Sequence, residues 1–334
     1  MKKIIFRADG NANIGLGHLY RIFALVEMSK SNFEFVFLTR ENSAISVIPK
    51  EYNIKLIPTT ISLIEEPGWI YDFFFSEGTI VVADGYEFDS NYQKQIKNKG
   101  FKLIYIDDLS TEYMYADFVI NHSPNIVKED YTSEPYTKFA LGLKYAILRP
   151  LFIEEAKNKR SIPLIMDTAF VCFGGSDSYN LTLKAVNSLL QIEQFIKINI
   201  VVGGAYEHNE VFQLAKENPR LKIYQNLSEK NLIQVMKESH FAIAPASTIL
   251  LELCSVKMVI LSGYYVKNQK KGFEGFVAKE LVFGIGDLKN ISIDNFKMEI
   301  LKTINYNRDK LLKNQIVFFD GLQKDRFLEI FKAI

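Results

Sequence analysis

Arg7-Ala8-Asp9-Gly10-Asn11-Ala12-Asn13-Ile14-Gly15-Leu16-Gly17-His18-Leu19-Tyr20-Arg21 is the stretch whose reading decides the fold. Ahead of it, Lys3-Ile4-Ile5-Phe6 has the apolar character of a buried first strand. Behind it, Ile22, Phe23, Leu25, Val26 and Met28 recur at helical spacing. The stretch is therefore a strand-to-helix loop in which Gly15 and Gly17 stand just before one histidine where helix takes over. A helix N-terminus carries roughly half a positive charge and disfavours imidazolium. His18 is accordingly expected to be neutral near pH 7 and able to accept a proton. A dinucleotide fingerprint fits poorly, because Tyr20 stands at the third glycine position and the glycines begin well beyond Phe6. A flexible loop with a surface histidine is the plain alternative, and the rest of the chain decides between them.

Outward from this loop the same plan repeats. Residues 33–39 and 54–57 read as strands, and residues 79–83 form a continuous apolar run ending in Asp84. Residues 102–106 end in Asp107-Asp108, and residues 118–120 lead into Asn121. Strands alternating with helical segments imply a parallel sheet, whose ligands gather beyond the carboxyl ends of the strands. Asp84, Tyr86, Asp107, Asp108 and Asn121 all fall there. Each is singly explicable as a turn or cap residue, and together they mark the mouth of a site.

A second cycle starts after a bridge around residues 141–163. The strand at residues 168–173 runs into Gly174-Gly175-Ser176-Asp177 and a helix over 181–190. Such a loop either brings backbone N–H groups close to a phosphate or is an ordinary turn. Further strands are expected at 197–202, 223–226, 241–244 and 258–261. Pro245-Ala246-Ser247-Thr248 leads into a helix that carries Glu252, placed either to reach a ribose or to favour the helix dipole. The tail beyond Asp287 reads as helices that cover the second domain or return to the first. The expected division is 1–152 and 153–334.

Composition narrows the function classes. The 334 residues are 48% hydrophobic, enough for two cores, and the net charge of +1 supplies no basic stripe for nucleic acid. The N-terminus lacks the pattern of a signal peptide, and no run approaches the ~18 apolar residues of a membrane span. The two cysteines, Cys172 and Cys254, lie far apart in apolar patterns without zinc spacing. A cytoplasmic chain that uses neither metal nor cofactor is expected.

The run Arg7-Ala8-Asp9…Ile14-Gly15-x-Gly17-His18-x-x-Arg21 resembles the opening signature of the UDP-2,4-diacetamido-2,4,6-trideoxy-β-L-altropyranose hydrolases of pseudaminic acid biosynthesis. Further blocks follow in the same order: Asp84-Gly85-Tyr86, Asp107-Asp108 with Asn121, residues 145–149, Phe173-Gly174-Gly175-Ser176-Asp177, Ala246-Ser247-Thr248 with Glu252, and Lys267-Asn268-Gln269. The similarity covers about residues 3–280. That family is similar to the peptidoglycan N-acetylglucosaminyltransferase and has the GT-B fold, two Rossmann-like α/β domains with parallel sheets facing a central cleft.

The resemblance implies hydrolysis of a UDP-sugar between the anomeric carbon and the diphosphate. His18 is then the catalytic residue. Asp9, Gly15, Gly17, Arg21, Asp84, Tyr86, Asn268 and Gln269 serve the sugar side. Gly174, Gly175, Ser176, Asp177, Ser247, Thr248 and Glu252 hold UDP. Three positions depart from the family pattern: Gly85 where an Asp-His-Tyr block is expected, Pro245-Ala246-Ser247 in place of a more glycine-rich turn, and Leu251 where many members carry tryptophan. The competing expectations are a glycosyltransferase of the same fold and a silent nucleotide-sugar binder. An amphipathic basic run of the kind that would serve a membrane-bound acceptor is absent from residues 33–92, which favours the hydrolase.

Overall fold

The computed structural model describes every residue except Met1, Ala12 and Asn13, so two positions of the opening loop lie outside the described residues. The chain divides into two compact units, one running to Pro150 and joined by Leu322–Ile334, the other Leu151–Gly321.

In the first unit the strands are β1 (Lys3–Ala8), β2 (Glu34–Arg40), β3 (Ile54–Ile57), β4 (Thr79–Asp84) and β5 (Lys102–Ile106), followed by the short β6 (Tyr113–Met114). Then come β7 (Phe118–Asn121), the short β8 (Thr132–Ser133) and β9 (Lys138–Leu141). Seven of them form a parallel sheet in the order β3-β2-β1-β4-β5-β7-β9, and β6 pairs with β8. The helices are α1 (Gly17–Ser29), α2 (Glu66–Phe73) and α3 (Ser90–Asn98). Asp89 caps α3 by accepting from the Tyr92 N–H at 2.8 Å. β4 is buried along its whole length, as a strand covered on both faces must be. The strand order reverses between β1 and β4, the switch point where such sheets place ligands.

The second unit repeats this plan with β10 (Thr168–Val171), β11 (Lys197–Val202), β12 (Leu221–Gln225), β13 (Phe241–Pro245), β14 (Val259–Tyr264) and β15 (Phe283–Asp287). All six are parallel, in the order β12-β11-β10-β13-β14-β15. The helices from the bridge onward are α4 (Pro150–Ala156), α5 (Leu181–Leu190), α6 (Glu210–Glu217), α7 (Glu229–Glu238) and α8 (Thr248–Ser255). They are followed by α9 (Lys267–Ala278), α10 (Ile293–Asn305) and α11 (Asp309–Phe318). Cys172 and Cys254 are free and buried.

The last helix, α12 (Gln323–Ala333), departs from the expected division at 152/153. It belongs to the first unit, because its apolar face finds partners there. Phe331 meets Phe6 and Phe33 at ring separations of 6.3 and 5.9 Å, and Lys2 Nζ donates to the Lys332 carbonyl at 2.7 Å.

One buried polar cluster sits under the first sheet. Arg7 is fully buried and donates through Nε to Glu66 Oε1 at 2.7 Å, while its Nη2 lies 2.7 Å from Asp9 Oδ2. Glu66 also accepts from Arg40 Nη2 at 2.7 Å and from the Tyr92 hydroxyl at 2.8 Å. Asp9 accepts from the Thr39 hydroxyl and the Arg40 N–H, each at 2.8 Å. Burial opposes the charge on Arg7, but Glu66 and Asp9 more than compensate and raise its pKa. Removing one partner of such a pair leaves a buried charge unmatched. Glu66→Ala should therefore lower unfolding free energy by about 3–5 kcal/mol in urea melts; a loss below about 1 kcal/mol would show that water enters and screens Arg7.

Candidate active site

The chemistry of the first unit gathers at the carboxyl ends of β1, β4 and β5. His18, the second residue of α1, is buried with its Nδ1 2.7 Å from Asp84 Oδ1. Asp84 closes β4 and is fully buried. Arg21, one turn further along α1, donates to Asp84 from Nε at 2.7 Å and to Asp108 from Nη1 at 2.6 Å and Nη2 at 2.9 Å. The Tyr86 ring stands edge-on to the His18 imidazole at 4.8 Å. The carboxylate on Nδ1 selects the tautomer protonated there and leaves Nε2 as the base. Among the described residues Nε2 has no protein partner.

The electrostatics correct the expectation of a histidine kept neutral by the helix dipole. Burial pulls the His18 pKa down, yet the Asp84 hydrogen bond and charge, aided by Asp108 and opposed by Arg21, leave it raised above 6.5. A carboxylate at 2.7 Å outweighs the fractional charge of a helix end. Burial would raise Asp108, but the Arg21 guanidinium holds it down at about 2.

Several residues expected to contact the sugar have other work. Asp9 faces Arg7, Thr39 and the Arg40 N–H in the buried cluster rather than His18. Arg21 and Asp84 bond each other, and through Asp84 they orient His18. Asp107 and Asn121 also turn inward: Asp107 caps the N–H groups of Leu109 and Ser110 and accepts from Asn121 and the Tyr131 hydroxyl. Gly15 adopts φ +79° and exchanges backbone hydrogen bonds with Asn11, while a side chain at Gly17 would meet only open space. Tyr86 is 53% exposed beside His18 and remains available to a ligand.

Two residues escaped the sequence reading. His122 follows β7, accepts weakly from the Ile147 N–H at 3.4 Å, and is held neutral with a pKa of about 4 by burial and then by Arg21. Its signal was its place just past a strand end. Glu87 lies three residues beyond Asp84, with its carboxyl folded over the Cα of Gly85.

In the second unit the expected UDP residues line the carboxyl ends of β10 and β13. Gly174 has φ +87°, and Gly175 and Ser176 are exposed. Gly203 must be glycine, because a Cβ there would come 2.5 Å from the Cα of Gly175. Ser247 and Thr248 open α8 with exposed side chains, and Glu252 is buried one turn on. Asp177 differs from expectation: it is buried and accepts the N–H groups of Leu181 and Thr182 at 2.9 and 2.8 Å, so its carboxylate caps α5. Asn268 is exposed at the start of α9, whereas Gln269 accepts from the Tyr265 N–H at 3.1 Å and shapes the turn. Among the described residues no helix is long and apolar enough to cross a membrane, and no three His, Cys, Asp or Glu side chains form a group able to hold a metal ion.

No protein-family model matches the chain. It is 25% identical to an uncharacterised protein of Methanocaldococcus jannaschii, over 99% of this chain and 72% of that protein. It is 28% identical to the UDP-2,4-diacetamido-2,4,6-trideoxy-beta-L-altropyranose hydrolase of Campylobacter jejuni, over 81% of this chain and 98% of that one. The spore coat polysaccharide biosynthesis protein SpsG of Bacillus subtilis is 23% identical over 84% and 83%. Among solved structures, Acinetobacter baumannii MurG superposes with a TM-score of 0.70 at 12% identity over the whole of both chains. Arabidopsis thaliana UGT89C1, complexed with UDP-L-rhamnose, gives 0.64 at 9% over 99% and 98%. These likenesses establish a GT-B-type fold, and the family that the motifs resemble is among the chain's relatives.

Because Asp84 carries the charge that raises His18, Asp84→Asn should move the His18 titration to lower pH. The imidazole proton resonances, followed by NMR across pH 5–9 (roughly the His window), check this. A titration that stays where the wild type has it would remove Asp84 from control of the imidazole.

Proposed function

We propose that the protein hydrolyses a UDP-linked 2,4-diacetamido-2,4,6-trideoxyhexose at the anomeric C–O bond, releasing UDP and the free sugar for nonulosonic acid synthesis. The observation that carries the reading is the His18–Asp84 pair, which leaves one bare imidazole nitrogen beside an exposed tyrosine in a GT-B chain. The Campylobacter relative's name supplies the substrate class.

The chemistry needs little else. Ordinary glycosidases require an acid to protonate an alkoxide leaving group. A diphosphate departs as a stable anion, so one base and a set of donors on the leaving group suffice. His18 Nε2 takes a proton from water as the water oxygen bonds to the anomeric carbon. The bond to the β-phosphate oxygen breaks with its electron pair staying on UDP, and the imidazolium formed is stabilised by Asp84. Backbone N–H groups of the 174–176 loop and the hydroxyls of Ser247 and Thr248 would receive the diphosphate, and Glu252 the ribose. Asn268 would serve the sugar.

A base that must be unprotonated, with a pKa raised above 6.5, requires turnover to climb with pH through a midpoint above that value. His18→Asn should lower kcat by about 10²–10⁴-fold with UDP affinity unchanged. Equal loss of both would make His18 structural. The GT-B likeness to glycosyltransferases supports a second reading, in which His18 activates an acceptor hydroxyl. Incubation with the UDP-diacetamido sugar and no acceptor separates the two: UDP release seen by NMR supports the hydrolase, and an intact donor supports the transferase.

A further inference from the structure

Most polar atoms around His18 already have partners within the protein. Asp84 is taken by His18 and Arg21, Asp108 by Arg21, and Asp107 by Asn121, Tyr131 and its own turn. Glu87 is different. Its backbone belongs to the same exit from β4 that supplies Asp84 and Tyr86, and its side chain is half-buried. Among the described residues its carboxyl bonds only the N–H of its own residue. Among the described residues it also has no ion-pair partner, although Arg7, Asp9 and His18 lie within electrostatic reach.

Gly85 makes this position possible. A Cβ at residue 85 would stand 2.5 Å from Glu87 Oε2 and 2.8 Å from both Oε1 and Cδ. The carboxyl therefore occupies the space of the missing side chain. Burial raises its pKa, so the group is an acceptor short of donors.

Resting on the hydrolase reading, we propose that Glu87, seated over Gly85, is a specificity-determining residue that accepts a hydrogen bond from an N–H or O–H substituent of the sugar bound beside His18. A diacetamido sugar carries two amide N–H donors, and a site whose other carboxylates are engaged internally needs an acceptor for them. Discrimination of this kind is strong, because a sugar lacking the donor leaves the buried acceptor unpaired.

The test uses the full chain in the His18→Asn background, so that the sugar nucleotide survives titration. UDP and UDP-2,4-diacetamido-2,4,6-trideoxy-β-L-altropyranose are titrated separately by calorimetry. Glu87→Ala should weaken the sugar nucleotide by about 10- to 100-fold and leave UDP unchanged. Gly85→Ala, which displaces the carboxyl without touching residue 87, should do the same. Combined with Glu87→Ala it should add nothing, since both changes remove one contact.

Unchanged sugar affinity in Glu87→Ala, equal weakening of UDP, or additive effects of the two positions would each overturn the assignment. A wild type that binds the sugar nucleotide yet releases no UDP defeats the hydrolase reading alone, since the affinity series still reports on Glu87. A wild type that hydrolyses while Glu87→Ala binds the sugar nucleotide normally defeats the Glu87 assignment alone. Binding of UDP without any binding of the sugar nucleotide contradicts both.

Discussion

A single buried carboxylate organises the candidate site. Asp84 ends β4 with one oxygen on His18 Nδ1 and the other on Arg21 Nε, each at 2.7 Å. Buried charge is costly unless it is matched, and this carboxylate is matched by an arginine from the same helix that carries the histidine. The spacing of His18 and Arg21, one turn apart on α1, lets both reach the same group. Arg21 in turn holds Asp108, so the ends of β4 and β5 and the start of α1 are tied at one point. The imidazole gains a fixed orientation, a fixed tautomer and a raised basicity from one contact.

Much of the architecture was legible because parallel strands covered on both faces read as unbroken apolar runs. β4, β10 and β13 are of this kind. β15 was missed because Phe283–Asp287 contains two glycines and packs at an edge, where apolar patterning weakens. α9 was missed because Lys267–Ala278 carries two glycines and five polar residues in its first half. α12 reads as helix, but Phe327 and Phe331 pack against Tyr145 and Phe6, far away along the chain, and periodicity alone names no partner.

The site was legible at His18 and less so around it. Asp9 and Arg21 sit in the same motif as His18, and nothing local separates a residue facing ligand from one facing core. Asp9 pairs with Arg7, which also reaches Glu66, 59 positions along the chain from Arg7, and Arg21 reaches Asp84 across 63. The same limit applies to Asp177, whose carboxylate the α5 N-terminus takes up. Strand-end position did find Asp84 and Tyr86, and applied one residue further it finds His122 and Glu87.

The tautomer of His18 tests this account most directly. In protein labelled with ¹⁵N at histidine and held above the imidazole pKa, long-range ¹H–¹⁵N correlation distinguishes the protonated ring nitrogen from the bare one. The account predicts a protonated Nδ1 and a bare Nε2, with the pattern lost in Asp84→Ala. A bare Nδ1 with the proton on Nε2 would contradict it, because the nitrogen assigned to accept the water proton would already carry one.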